Sequence, residues 1–288
     1  MTPFEIYKKA HENKYAIGQF NVSTLEAVKA VVRVAKELNA SVIIGTSENE
    51  AKYLGMKNIA DIIENARQEM GLPIVLNLDH GKSLEKVKEA IGVGYNAVHF
   101  DGSALPLEEN IAITKEIVEY AHSKNILVEG EIGHLQGSSS VIKETIDIKE
   151  GDLTSPEQVA NFVKVTGIDS LGTALGNFHG MYSKEVGGEE KIDLERLKKI
   201  RQATETFLVL HGGSGINREQ VKEAIQIGIV KINVNTELRV AFRRGLEKAL
   251  KEKPEEVVPY RLFPILIDEI GSVVKEDISF FGSEGKLI

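Results

Sequence analysis

The chain has 288 residues, with 35 Lys and Arg against 43 Asp and Glu for a formal net charge of -8, and it has no cysteine. That balance argues against a protein that wraps nucleic acid or an anionic membrane surface, so an anionic ligand would need a local positive site. Without thiols there is no disulfide, cysteine nucleophile or Cys-based zinc or iron–sulfur site, and any transition metal must be held by His, Asp or Glu.

A helix is predicted over about residues 3–13, then a strand over 15–22. Ser23-x-x-Glu26 reads as a capping box for a helix with apolar Leu25, Val28, Val31, Val32, Ala35 and Leu38. A second apolar run spans 41–47, and a helical pattern over 58–70 ends at Gly71. The third strand covers 73–80, with Ser83 opening its helix, and the fourth covers 97–102, with a helix over 105–124 that carries Pro106 at its first turn. The fifth strand is 126–132. After it, residues 133–152 show no helix, which is long for a loop and suggests a functional or mobile segment. A helix starts at Thr154-Ser-Pro-Glu157, and a weaker sixth strand, 170–176, precedes a second loop over 177–192 and a helix over 194–203. The seventh strand runs from Phe207 into His211-Gly-Gly-Ser-Gly215, with Asn217-x-x-Gln220 capping its helix. The eighth spans 229–235 and leads into a helix over 237–251, and residues 255–288 read as extra helix.

Eight strand–helix alternations predict a (β/α)₈ TIM barrel with extra C-terminal helices. With no linker, low-complexity tract or Rossmann or P-loop fingerprint, residues 1–288 are expected to form one domain. The N-terminus lacks an apolar signal-type run and nothing approaches the length of a membrane span, so the expected location is the cytoplasm.

In such a barrel all eight strands end at one face, which carries the active site. The strand ends and the loops after them here supply Asp79-His80, Glu129-Gly-Glu131, Asn177-Phe-His179-Gly180 and His211, the residue types of a divalent site that keeps an open position. His11 and His122 read as helix residues, His134 lies in the long loop, and His99, inside a strand, reads as a packed, hydrogen-bonded histidine. The turns after strands seven and eight, Gly212-Gly-Ser214-Gly and Asn233-Val-Asn235-Thr236, each enter a helix N-terminus and could cradle a phosphate, with Lys184 able to add a point charge.

Seven ordered motifs carry a resemblance: Leu78-Asp-His-Gly-Lys-Ser83, Phe100-Asp-Gly-Ser103, Val128-Glu-Gly-Glu-Ile-Gly133, Gly176-Asn-Phe-His-Gly180, Leu210-His-Gly-Gly-Ser-Gly215, Lys231-Ile-Asn-Val-Asn-Thr236 and Phe281-Gly-Ser-Glu-Gly-Lys286. Together they resemble the class II, zinc-dependent fructose/tagatose-bisphosphate aldolase family over essentially the whole chain. The resemblance implies a (β/α)₈ lyase that cleaves a ketose 1,6-bisphosphate to dihydroxyacetone phosphate and glyceraldehyde 3-phosphate. Fructose 1,6-bisphosphate is the first expectation, and its tagatose epimer or another phosphosugar the alternative. By motif, His80, His179 and His211 would bind the one catalytic Zn²⁺, with Glu131 able to engage the metal in an alternative or inner position and a second metal site as a further option. Asp79 would exchange the hydroxyl proton. Gly180, Lys184, Gly212, Ser214, Asn235 and Thr236 would surround the phosphate, with Asn233 at the enediolate end and a monovalent cation, Na⁺ or K⁺, nearby. A homodimer or homotetramer is the implied assembly. A non-catalytic aldolase-associated subunit would not require the three histidines and Asp79.

The chain departs from the family in the loop after strand five. Many members carry acidic residues there, in a pattern like Gly-Gly-x-Glu-Asp, and one of them moves a proton at the enediolate carbon. Here the loop reads Gly133-His-Leu-Gln-Gly-Ser-Ser-Ser140, with no carboxylate before Glu144. Glu144 is the candidate for that role, with His134, water or substrate as alternatives. A milder departure is Asn235, where the family often has Asp.

Overall fold

The computed structural model describes residues 1–183, 186 and 191–287. The chain begins with α1 (Pro3–Glu12), β1 (Ile17–Asn21), α2 (Leu25–Glu37), β2 (Val42–Ser47), α3 (Glu48–Leu54), α4 (Met56–Met70) and β3 (Ile74–Gly81). It continues with α5 (Leu84–Val93), β4 (Ala97–Phe100), α6 (Leu107–His122), β5 (Leu127–Ile132), β6 (Gly137–Ile142), α7 (Pro156–Thr166), β7 (Ser170–Thr173) and β8 (His179–Tyr182). The last elements are α8 (Leu194–Ala203), β9 (Phe207–Leu210), α9 (Arg218–Ile227), β10 (Ile229–Val234), α10 (Thr236–Glu252) and α11 (Pro259–Phe280). Eight strands close a parallel barrel in the order β1-β10-β9-β7-β5-β4-β3-β2, which is the (β/α)₈ architecture expected.

The period-two geometry of a strand decides what fills the barrel and what faces the helices. In β3, Leu76 and Leu78 join the apolar layer under the helices, whereas Val75, Asn77 and Asp79 alternate with them toward the axis. In β5, Val128 and Ile132 face out while Leu127, Glu129 and Glu131 face in. The interior is therefore stratified. Its N-terminal end is apolar, with Ile17, Ile43, Val75, Ala97, Leu127, Phe207 and Val230 packed with Ile6, Tyr7 and Ala10 of α1, which plugs that end. Each large apolar side chain so buried contributes about 1.5–3 kcal/mol. Toward the C-terminal end the same inward positions become Gln19, Asn77, His99, Glu129 and Lys231, all buried.

Local signals missed or shifted some elements. The hydroxyl that caps α2 belongs to Thr24, which accepts from Ala27 N at 3.2 Å, and not to Ser23. A short helix, α3, lies unread between the second strand and α4, started by a capping box between Ser47 and Glu50. The loop expected over 133–152 contains β6, which pairs in parallel with β8 from the second predicted loop, Gly137 opposite His179 and Ile142 opposite Tyr182. These strands escaped because Gly137-Ser-Ser-Ser140 has no apolar alternation, and a two-stranded pairing between distant loops leaves no local trace. The tail forms one long helix, α11, whose backbone approaches α10 at Gly245, where a Cβ would stand 2.9 Å from Leu266 Cα.

Candidate active site

At the C-terminal end of the barrel the buried charges are arranged in a chain. Lys231 Nζ donates to Glu129 Oε2 at 2.6 Å, and His211 Nε2 donates to Glu129 Oε1 at 2.7 Å. Glu129 is buried, which opposes ionisation, but Lys231 and then His99 and His211 hold its carboxyl well below the usual carboxylate range. An ionised carboxylate only accepts hydrogen bonds, so His211 carries its proton on Nε2 and its lone pair on Nδ1. That lone pair receives Asn233 Nδ2 at 3.2 Å.

His80 is built the same way from the other side. It sits at the β3 bulge with φ of 54°, a left-handed conformation that aims its ring across the barrel mouth. Its Nδ1 donates to Asp101 Oδ2 at 2.8 Å, leaving Nε2 to face His211 Nδ1 at 3.2 Å. Burial would lower the His80 pKa, but the neighbouring Asp79 carboxylate raises it. Two imidazole nitrogens at this distance can share a proton or another cation.

The donor set fits a divalent metal. Both rings have their second nitrogen fixed by a carboxylate, the usual support of a metal-bound histidine. Asn233 Oδ1 is buried there without a hydrogen-bond partner among the described residues, and Glu131 Oε2 has only a histidine ring, His99 Nε2 at 3.1 Å, as a close contact. Ligand-capable atoms of Asp79, His80, His99 and His211 lie within 4.8 Å of one another, as do those of His80, Asp101 and Glu131.

His179 arrives by another route, at the start of β8 over the barrel mouth, with its backbone N–H donating to Gln136 O at 2.8 Å. Its ring centroid lies 4.8 Å from that of His80 and 6.1 Å from that of His211. Burial and the two neighbouring rings push its pKa down to about 3, which leaves it neutral, the state a metal ligand needs. It belongs to neither tight group, whereas His99, expected only as a packed histidine, belongs to one. His99 Nδ1 does accept from His80 N at 3.2 Å, as a packed histidine would, but its Nε2 faces Glu131 Oε2 at 3.1 Å.

Asp79 receives Asn21 Nδ2 on Oδ2 at 2.8 Å and Asn233 Nδ2 on Oδ1 at 3.1 Å. Burial opposes its charge, but His80, and after it His99 and His211, hold the carboxyl well below its ordinary value. It lines a cavity of about 370 Å³ together with His80, Glu131 and His179.

Gly180, Gly212, Ser214, Asn233, Asn235 and Thr236 also line this cavity. Gly212 has φ of 61°, and a Cβ there would fall 2.0 Å from Phe178 O, so only glycine lets the turn pass. Asn235 precedes α10 without a side-chain capping bond, and Ser214 Oγ accepts from Glu237 N at 3.4 Å, which ties the glycine turn to the first turn of that helix at the cavity wall.

One expected residue is not brought here. Glu144 is exposed and lines a separate groove formed by residues 136–149, because β6 pairs with β8 and carries the following chain away from the mouth. His134, the alternative, does line the cavity. Lys184 lies outside the described residues. Asp101, Glu129, Lys231, Glu50 and Arg239 had no role assigned from sequence. Alternation from Glu131 and from Asn233 points inward to Glu129 and Lys231, but the pairing across the barrel has no sequence signal.

The sequence profile described as fructose-bisphosphate aldolase class-II matches residues 2–286. The chain belongs to the class II fructose-bisphosphate aldolase family. This class II aldolase is 39% identical over 286 residues to the fructose-bisphosphate aldolase of Geobacillus stearothermophilus, covering 98% of this chain and 96% of the relative. It is 38% identical over 287 residues to the 6-phospho-5-dehydro-2-deoxy-D-gluconate aldolase of Bacillus licheniformis, covering 99% and 95%. Among solved structures, the YdjI aldolase from Escherichia coli K12 superposes with a TM-score of 0.83 at 32% identity, covering 100% of this aldolase and 99% of that chain.

Proposed function

We propose that the protein is a Zn²⁺-dependent aldolase that reversibly cleaves a ketose 1,6-bisphosphate, fructose 1,6-bisphosphate first, to dihydroxyacetone phosphate and glyceraldehyde 3-phosphate. The observation that carries this reading is the facing pair His80 Nε2 and His211 Nδ1, each ring backed by a carboxylate, in a barrel mouth whose cavity is also lined by Asn235 and Thr236 at the start of α10. His80 and His211, with His179 above them, would hold the ion, and Glu131 offers an alternative position. Zn²⁺ bound there would supply the Lewis acid that polarises the substrate ketone.

The chain's own groups divide the remaining work. Gly212, Ser214, Asn235, Thr236 and Gly180 hold the phosphate through backbone N–H groups and hydroxyls, with a monovalent cation, Na⁺ or K⁺, beside it, and Lys184 adds charge. In cleavage, the Asp79 carboxylate takes the proton of the hydroxyl on the carbon that becomes the aldehyde. The C–C bond breaks, its electron pair passes into the enediolate of dihydroxyacetone phosphate, and Asn233 stands at that end. A proton then returns to the enediolate carbon, and His134, which lines the cavity, is placed to move it.

The Bacillus licheniformis relative favours a second reading, cleavage of another phosphosugar, because its identity to this chain is nearly that of the fructose-bisphosphate aldolase. A panel of fructose and tagatose 1,6-bisphosphates and 6-phospho-5-dehydro-2-deoxygluconate separates the two. Turnover of any of them that vanishes with a chelator and returns with Zn²⁺ supports the aldolase reading, and turnover that survives complete metal removal sinks it. A homodimer or homotetramer in the cytoplasm completes the proposal. Among the described residues no helix is long and apolar enough to cross a membrane. Light scattering on the purified protein reads the assembly.

A further inference from the structure

Three side chains in series, Asn21, Glu50 and Arg239, link the Asp79 carboxylate to the strand over the cavity mouth. Asn21 Nδ2 donates both to Asp79 Oδ2 at 2.8 Å and to Glu50 Oε2 at 3.1 Å, while Asn21 Oδ1 accepts from Gln19 Nε2 at 3.1 Å. Two carboxylates can only accept, so together they fix which way the Asn21 amide faces. Glu50 is 6% exposed, and its carboxylate is itself held. Its Oε2 accepts from Ser47 N at 2.9 Å, the capping-box bond that starts α3, and its Oε1 accepts from Arg239 Nη2 at 2.7 Å. Arg239 Nη1 in turn donates to Ser139 O of β6 at 2.6 Å. Helix capping accounts for the Ser47 bond alone. The contacts to Asn21 and Arg239 reach the cavity, and both of those residues line it.

We infer that Glu50 is a positioning residue for Asp79: through Asn21 it aims the carboxylate that moves the hydroxyl proton, and through Arg239 it ties β6 to the same point. This inference rests on the role proposed above for Asp79. A displacement of the order of 1 Å at a reacting group is enough to cost a rate about two orders of magnitude, so a buried side chain that fixes an amide between two carboxylates has leverage on the rate.

Two partial reactions isolate the effect. Exchange of the carbon-bound proton of dihydroxyacetone phosphate with solvent deuterium breaks and remakes one C–H bond and needs no proton transfer at the cleaved hydroxyl. Cleavage of the best substrate in the panel above needs both steps. In the zinc-loaded protein, Asp79→Asn is therefore expected to lose cleavage and keep exchange. If it loses both equally, the role of Asp79 fails, and the inference with it. Once Asp79→Asn shows the split, Glu50→Ala is expected to lower kcat for cleavage about tenfold or more, leaving KM within about threefold and exchange unchanged. Glu50→Gln, whose amide oxygen can still accept from Asn21 and Ser47 N, should recover most of the lost rate. Asn21→Ala should show the same split, which keeps the test open if Glu50→Ala does not fold. Undiminished cleavage in Glu50→Ala, equal loss of both reactions, or Glu50→Gln as slow as Glu50→Ala would overturn the assignment of Glu50.

Discussion

His80 Nε2 stands 3.2 Å from His211 Nδ1, and each ring commits its other nitrogen to a buried carboxylate, Asp101 for His80 and Glu129 for His211. The chain thus fixes in advance which nitrogen of each ring meets the other, and Asn233 Nδ2 joins them at 3.2 Å from His211 Nδ1. Such pre-orientation is what separates a metal site from a group of histidines.

The support beneath His211 is the first place to test this. Glu129→Gln removes the acceptor charge under His211 and leaves the Lys231 ammonium buried without its partner. The expected result is a loss of about 10–100-fold in zinc affinity. A chelator-competition titration measures it, and an affinity within twofold of wild type would show that Glu129 does not set the His211 donor. The uncompensated Lys231 should also cost about 3–5 kcal/mol of folding stability, read by denaturant unfolding of the metal-free protein.

The phosphate end makes a different demand. Gly212→Ala places a Cβ against Phe178 O at a positive φ, so the turn must shift away from β8. The strain is expected to cost about 1–3 kcal/mol. Binding of inorganic phosphate or of dihydroxyacetone phosphate should weaken about tenfold or more through the displaced N–H groups. Calorimetry with the two ligands checks it, and unchanged affinity would remove the turn from the anion site.

The two loop candidates predict opposite outcomes in one assay. His134 lines the cavity and Glu144 does not. His134→Ala should slow proton exchange into dihydroxyacetone phosphate by about 10²-fold, the usual contribution of a positioned acid or base, while Glu144→Ala should leave it within twofold. The reverse pattern would return the role to Glu144 and require residues 136–149 to move over the mouth.

Away from the site, Asp277 on α11 makes stability depend on pH. Burial, reinforced by the nearby Glu237, raises its carboxyl well above the ordinary value, and its Oδ2 has no hydrogen-bond partner among the described residues. Above the unfolded pKa the folded chain binds the extra proton, so stability falls as pH rises toward the folded value, and below the unfolded value the two states bind equally. Asp277→Asn is expected to raise Tm at pH 7–8, by about 2–4 °C for each kcal/mol regained, with the gain shrinking toward pH 4. A gain independent of pH would show that the carboxyl is not the cause.

The barrel was legible because its signals are local. Leu76, Leu78, Val128 and Ile132 alternate with the inward residues of their strands, and Asp79, His80, Glu131 and His211 stand at strand ends that the topology gathers on one rim. Less of the supporting site was legible. Glu129 and Lys231 are separated by 102 residues and meet only across the closed barrel, so their ion pair leaves no spacing to read. The β6–β8 pairing, which delivers His179 and removes Glu144, joins two stretches read as loops.

By itself, the sequence determined the alternation of strand and helix, the residue types at the strand ends and the absence of any thiolate ligand, because periodicity and composition are properties of the chain itself. Tertiary structure alone decided that His99 stands in the cluster, which nitrogen of His80 and His211 is free, that Glu144 lies outside the cavity, and that Glu50 meets Asn21 beside Asp79. Closing a parallel sheet sets inward side chains from distant strands against each other. Which atoms then meet depends on register, on one bulge at His80 and on the direction of each hydrogen bond, none of which the order of residues states locally.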